Sequence, residues 1–395
     1  MELKRIDELK SHYYEELVNN IIPFWSSNSV DTEDGGFITY LNREGERKDT
    51  DKNGWVQGRM TWLYASLYNK LEKRPEWLEI ARHGYEFLKT HIIDETGRGY
   101  FTVTKKGEPV RRRRYLFVEA FAIIGFAEYY KASGDKEALD LAEKVLDLVL
   151  ELSNTPGALE EKFNTEVRQT RSHSFNMIMI VTLQVLRDAN PAKDYNNLID
   201  HYIDSIFKYF VHPEKKALLE TVGMDGEFLD TPVGRNITPG HAIETSWFLL
   251  EEGRYQNNQD LINKALPILD WSLDFGWDKE FGGILNFVDI CGNQAEQVDW
   301  DMKYWWTHNE AIYALLLAHD LTGEEKYEKL FNKVFDWAEK HFPDKDFGEW
   351  YGYLHRDGTV ALDFKGNNWK GCFHLPRQQL NCYLLLKKMS ERKVL

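Results

Sequence analysis

The chain has 395 residues, 43% of them hydrophobic and 14% aromatic, which is enough to bury a large core. Its 49 Lys and Arg against 64 Asp and Glu give a net charge of −15, which opposes phosphate backbones and anionic lipid and argues against nucleic acid as a partner. The cysteines Cys291, Cys372 and Cys382 lack CxxC spacing, and no GxxxxGK[ST] or GxGxxG loop is present, so a disulfide framework, a zinc site and the common phosphate-cradling loops all fall away.

In chain order, the charged pattern MELKRIDELK carries no apolar signal core and opens an amphipathic helix over roughly residues 5–25. DGGFITYLNREG (34–45) alternates between glycines and reads as a small hairpin. A helix apolar on most sides follows with Gln57 and Arg59, then a second hairpin, GRGYFTVTKKGE (97–108). The basic run Arg111–Arg114 leads into FVEAFAIIGFAEYY (117–130), an all-round apolar helix carrying Glu119. Its longest apolar stretch, Ala120 to Ala127, is too short to span a bilayer, so a cytoplasmic protein is expected. Ser133-Gly134-Asp135 stops that helix and caps the next, whose apolar face is Ala138, Leu141, Ala142, Val145, Leu148 and Val149.

The same alternation continues to the end of the chain. Buried-type helices recur around His173 and Asn176, at AIETSWFLL (242–250) behind His241, at EAIYALLLA (310–318) behind His308, and at His374 with Arg377. Hairpins FGGILNFVDICGN (281–293) and DFGEWYGYLHRDG (346–358), and the amphipathic stripe Tyr327, Leu330, Phe331, Val334, Trp337 and Ala338, fill the intervals.

Arg59, Glu119, Asn176, Glu244, Glu310 and Arg377 are separated by 60, 57, 68, 66 and 67 residues, the signature of six near-equal repeats. Six buried helices inside six amphipathic ones make an (α/α)6 barrel, with short β-hairpins at one mouth and residues 1–395 as one catalytic domain. No sustained heptad seam supports a coiled coil. An open solenoid is the stronger rival, and the N-terminal helix, which completes the last pair, favours closure.

Parallel inner helices bring their first turns to one end of the barrel. That gathers Gln57, Arg59, Glu119, His173, Asn176, His241, Glu244, His308, Glu310, His374 and Arg377. For any one of these a structural hydrogen bond is the commoner role; coincidence at six equivalent positions points to a site. His241 and Glu244 are three apart on one helix face, where the carboxylate is expected to orient the imidazole, and His374 and Arg377 share that spacing. Trp55, Trp62, Trp247, Trp300, Trp305, Trp306 and Trp369 flank the same segments, and an aromatic-walled, acid-rich cavity suits a sugar. Arg111–Arg114 reads either as a carboxylate-paired turn or as a hold for an anionic effector.

The segments WVQGRMTWLYASLY (55–68), TPGHAIETSWFLL (238–250), WDMKYWWTHNEA (300–311) and KGCFHLPR (370–377) together resemble the N-acylglucosamine 2-epimerase family. The resemblance implies an (α/α)6 barrel and metal-free interconversion of N-acetylglucosamine and N-acetylmannosamine. It also implies, in several members, activation by a nucleotide such as ATP that is not consumed. By position it assigns functional roles to Arg59, His241, Glu244, Glu310, His374 and Arg377. Thr307 and Gln378-Gln379 depart from the family pattern, and Trp369-Lys370 is similar to cellobiose 2-epimerases, which have Gln where this chain has His308.

Inverting C2 requires ring opening, removal of the C2 proton beside the C1 aldehyde, and reprotonation of the enediolate on its other face. His241 and His374 are expected on the two faces, Glu244 orienting His241, and Arg59 with Arg377 holding the oxyanion. Glu310, with His308, is expected to move protons during ring opening, while Asn176, His173, Glu119, Trp306 and Trp369 line the substrate. Rival readings are a glycoside hydrolase using Glu119 and Glu310, and a non-catalytic sugar- or protein-binding module. Base rates favour a homodimer.

Overall fold

The computed structural model describes residues 1–113, 115–160, 164 and 166–394; Arg114 of the basic run lies outside the described residues. The helices are α1 (Leu3–Glu15), α2 (Ile22–Asn28), α3 (Gly54–Ser66), α4 (Pro75–Phe87), α5 (Phe117–Ser133), α6 (Lys136–Asn154) and α7 (His173–Ala189). They continue with α8 (Asn196–Ser205), the short α9 (Pro232–Arg235), α10 (Pro239–Gln256), α11 (Gln259–Gly276), α12 (Trp305–Thr322), α13 (Glu325–His341) and α14 (His374–Val394).

Burial sorts them into two rings. Every residue of α5 from Val118 to Tyr129 is buried, and α12 is buried from Thr307 to His319. By contrast α13 buries only Tyr327, Phe331, Val334, Phe335 and Ala338, one stripe at helical spacing. Helices α3, α5, α7, α10, α12 and α14 form the inner ring, and each packs on an outer partner, with α1 against α14. The N-terminal helix thus closes the last pair and the toroid. Because the chain crosses from one hairpin of helices to the next, each inner helix starts at the same mouth.

Local chemistry sets the ends. Asn53 caps α3 by accepting from the amides of Trp55 at 2.8 Å and Val56 at 3.3 Å, Asp135 caps α6, and Gly134 ends α5 with a left-handed φ of 76°. Gly58 fixes a close backbone contact in the inner ring: a Cβ there would lie 2.5 Å from the Phe121 carbonyl oxygen, so only glycine lets α3 meet α5 at that height.

Small antiparallel pairs decorate the mouth, such as Lys52–Asn53 with Thr102–Val103, and Arg171–Ser172 with Thr221–Val222. One device recurs in four of these turns. Asp31, Asp94, Asp278 and Asp344 each accept the amide two residues on. Each also meets a cation, Lys52, Arg112, Lys303 and Lys365 respectively. Arg112 is therefore the carboxylate-paired turn residue of the basic run.

Candidate active site

A cavity of about 1780 Å³ runs through the inner ring, lined from the first turns of the inner helices down toward their C-terminal ends at Arg187, Arg254 and Lys388. Arg59, His241, Glu244, Trp247, Trp306, Trp369, His374 and Arg377 all line it. Trp306 contacts both imidazoles, its ring 5.4 Å from His241 and 5.6 Å from His374, both tilted near 45°. It reaches that place because Gly240 opens α10: a Cβ on Gly240 would sit 2.3 Å from the Trp306 ring.

Each imidazole is held by its own carboxylate. His374 Nδ1 is 2.7 Å from Glu310 Oε1, and the same oxygen accepts from Arg377 Nη2 at 2.7 Å while Trp247 Nε1 donates to Oε2 at 2.8 Å. With three donors converging, Glu310 acts as an acceptor, which puts the His374 proton on Nδ1 and leaves its Nε2 lone pair free. His241 Nδ1 lies 3.2 Å from both oxygens of Glu220.

This corrects the expected role of Glu244. Its carboxylate accepts from Arg377 Nη2 on α14 rather than from the imidazole three residues before it, because the guanidinium across the lumen is the nearer donor. The orienting acid of His241 is Glu220, in a hairpin segment 21 residues upstream. Its place is fixed through the backbone: the Glu220 carbonyl accepts the His173 amide at 3.0 Å where Arg171–Ser172 pairs with Thr221–Val222.

The two dyads have opposite electrostatics. Burial pushes the His374 imidazolium down, and the Arg377 and Arg59 charges push the same way, so His374 sits well below the usual histidine range and is neutral at pH 7. Burial also opposes charge on His241, but the Glu220 carboxylate outweighs it and raises His241 above 6.5. Reciprocally, burial raises the Glu220 carboxyl but is overcome by His241 and His173, which hold it well below the usual carboxylate range. Arg59 has no carboxylate partner among the described residues; it lies 4.1 Å over the Phe121 ring and 4.9 Å over Phe373, and burial lowers it to about 9.

Five predicted residues do not reach the lumen. His308 is wholly buried; its Nε2 accepts the Ile284 amide at 2.9 Å, its Nδ1 donates to the Tyr304 carbonyl at 2.7 Å, and it stacks on Trp337. Burial lowers its pKa to about 3, so it takes no part with Glu310 in moving protons. Glu119 accepts from Arg98 Nε at 2.7 Å and the Gly99 amide at 2.9 Å, which removes it from any glycosidase pair with Glu310. Gln57 serves the same purpose on Phe37, both accepting its amide and donating to its carbonyl at 2.8 Å. All three fasten a mouth hairpin to an inner helix.

His173 is buried too. Thr245 Oγ1 donates to the His241 carbonyl at 2.8 Å and accepts from His173 Nε2 at 3.0 Å, leaving His173 Nδ1 3.7 Å from Glu220. It stands behind the His241 dyad rather than against a substrate. Asn176 points away, its amide toward the Ser172 carbonyl at 3.4 Å.

Glu244, Glu310 and His374 bring three ligand-type atoms within 4.8 Å of one another. Arg377 Nη2 bonds both carboxylates and supplies the positive charge between them, so a metal ion would have to displace it.

A family model described as N-acylglucosamine 2-epimerase matches residues 36–375. The N-acylglucosamine 2-epimerase of Bos taurus is 34% identical over 389 residues, 95% of this chain and 90% of its own length. A cellobiose 2-epimerase of Dictyoglomus turgidum is 28% identical over 402 residues, 96% of this chain and 99% of its own. The crystal structure of a sugar epimerase from a ruminal bacterium superimposes with a TM-score of 0.82 at 25% identity, over 96% of this chain and 98% of the other. That solved relative shares the (α/α)6 barrel.

Proposed function

Since the chain belongs to the N-acylglucosamine 2-epimerase family, and is thereby an isomerase acting on sugars, we propose that it interconverts N-acetylglucosamine and N-acetylmannosamine by two-base proton transfer at C2 of the open-chain form. The observation that carries the mechanism is the pair of imidazoles in contact with Trp306, each on its own carboxylate, with His374 shifted below and His241 above the ordinary histidine value.

Neutral His374, oriented by Glu310, offers the Nε2 lone pair that removes the C2 proton. Protonated His241, held by Glu220, delivers a proton to the other face of the resulting enolate, whose oxygen is O1 and whose C2 carries the acetamido nitrogen. A catalytic base shifted below and an acid shifted above the ordinary histidine value of 6.5 suit this exchange. Arg59 and Arg377 line the same lumen, where their charges stabilise the oxyanion that develops at O1. For the reverse reaction the two histidines exchange roles.

The proposal extends to one catalytic domain over residues 1–395, cytoplasmic and homodimeric, with a nucleotide such as ATP acting as activator and not consumed. No described helix is long and apolar enough to cross a membrane. Incubating the protein in D2O with N-acetylmannosamine, mannose or cellobiose, with and without ATP, and following C2 by proton NMR tests both reaction and substrate. Inversion with deuterium incorporation on N-acetylmannosamine is expected; turnover of cellobiose alone would transfer the chain to the related disaccharide epimerases.

A further inference from the structure

One polar cluster on the cavity wall has no part in the proton-transfer machinery. Asn286, which is 2% exposed, donates its side-chain amide to Asp299 Oδ2 at 3.0 Å, and the Tyr304 hydroxyl donates to the same oxygen at 2.6 Å. Two donors on one oxygen fix the carboxylate plane. Asp299 Oδ1 and Asn286 Oδ1 are then left with no hydrogen bond among the described residues, and all three residues line the cavity. The backbone holds them in register: the Trp300 carbonyl accepts the amides of Asn286 and Phe287, both at 3.1 Å.

The chemistry of this patch is one-sided. Its available atoms are mainly acceptors, because the Tyr304 proton and one of the two Asn286 N–H bonds are spent internally, which leaves a single Asn286 N–H beside Asp299 Oδ1 and Asn286 Oδ1. A ligand that satisfies it must bring donors, and an anionic group such as a phosphate ester would meet two acceptors, a negative charge and one donor. None of the three residues is hydrogen-bonded to His241, His374, Glu220 or Glu310. Tyr304 nevertheless begins the turn that places Trp306 two residues later, so the patch adjoins the reacting centre without entering it.

We infer that Asn286, Asp299 and Tyr304 form a hydroxyl-accepting subsite that grips the non-reacting carbons of a neutral, unphosphorylated sugar and so selects the substrate. This rests on the epimerase reading above. Asp299 is the residue that touches substrate; Tyr304 is a positioning residue that orients its carboxylate.

The test compares wild type with Asp299→Ala, Asp299→Asn and Tyr304→Phe on N-acetylmannosamine and on its 4-deoxy and 6-deoxy analogues. C2 exchange gives kcat and KM, and quenching of tryptophan fluorescence gives Kd without turnover. Losing a hydrogen bond to a charged acceptor should raise KM and Kd for the intact sugar by about tenfold to a hundredfold, with kcat moving less than about threefold. One deoxy analogue, the one lacking the gripped hydroxyl, should bind wild type and Asp299→Ala equally. Tyr304→Phe should give a smaller rise in KM. Equal weakening of every analogue, or unchanged Kd in both Asp299 variants, would overturn the subsite. Absence of C2 exchange by wild type on every sugar would instead overturn the epimerase reading, while the Kd comparison still decides the subsite.

Discussion

Replacing Glu220 by Gln isolates the electrostatics that make His241 an acid. At 3.2 Å the pair's Coulomb attraction is about 5 kcal/mol at an effective dielectric near 20, which bounds the effect from above. A charge-assisted hydrogen bond contributes a net of about 1.5–3 kcal/mol, or about 1–2 pKa units. Without the carboxylate, burial is opposed only by the Glu244 charge, and His241 falls from its raised value. The sign follows directly: His241 must be protonated to act as the acid, so activity is present below its folded pKa and lost as pH rises through it. Wild type should therefore show a bell-shaped kcat/KM profile with its acid limb below 6.5, set by His374, and its alkaline limb above 6.5, set by His241. In Glu220→Gln the alkaline limb should move down by about 1–2 units, so activity at pH 8 falls about tenfold to a hundredfold while activity near pH 5.5 is largely kept. The stability linked to this pair has the same sign, complete below pH 6.5 and lost as pH rises through the raised value. An alkaline limb that stays in place in Glu220→Gln, measured by C2 deuterium exchange across pH 5 to 9, would refute the assignment of His241 as the resting acid.

Other substitutions separate scaffold from chemistry. His308→Asn should cost about 1–3 kcal/mol of stability through the lost bond to the Ile284 amide, seen as a lower Tm, yet leave C2 exchange within a few-fold of wild type. Gly240→Ala forces Trp306 from its seat against the imidazoles and should reduce kcat/KM with little change in Tm; an unchanged kcat/KM would mean that Trp306 does not set the spacing of the two histidines.

The ring of six helix pairs was legible in the sequence because burial leaves a periodic trace. The contrast between FVEAFAIIGFAEYY, buried on all sides, and the single stripe of residues 327–338 needs no contact information. Glycine stops at Gly134 and Gly323 were equally readable, since a left-handed C-cap is a local demand. Glu220 was not. It lies in a non-repeating hairpin, and its tie to His241 arises from strand pairing that brings residues 171–172 against 221–222, a register no spacing rule anticipates.

The misplaced residues carry a further lesson about angle. A helix turns about 100° per residue, so positions two apart point about 200° apart, nearly opposite. Gln57 and Arg59, Glu119 and Phe121, and His308 and Glu310 are such pairs, and in each the first member fastens a hairpin while the second faces or adjoins the lumen. His241 with Glu244 and His374 with Arg377, three apart, share a face and all four line the cavity. The polar residues clustered at the helix starts are thus two populations, one that anchors the hairpins and one that does chemistry. The near-equal repeat intervals mark where both lie along the chain, and helical phase tells them apart.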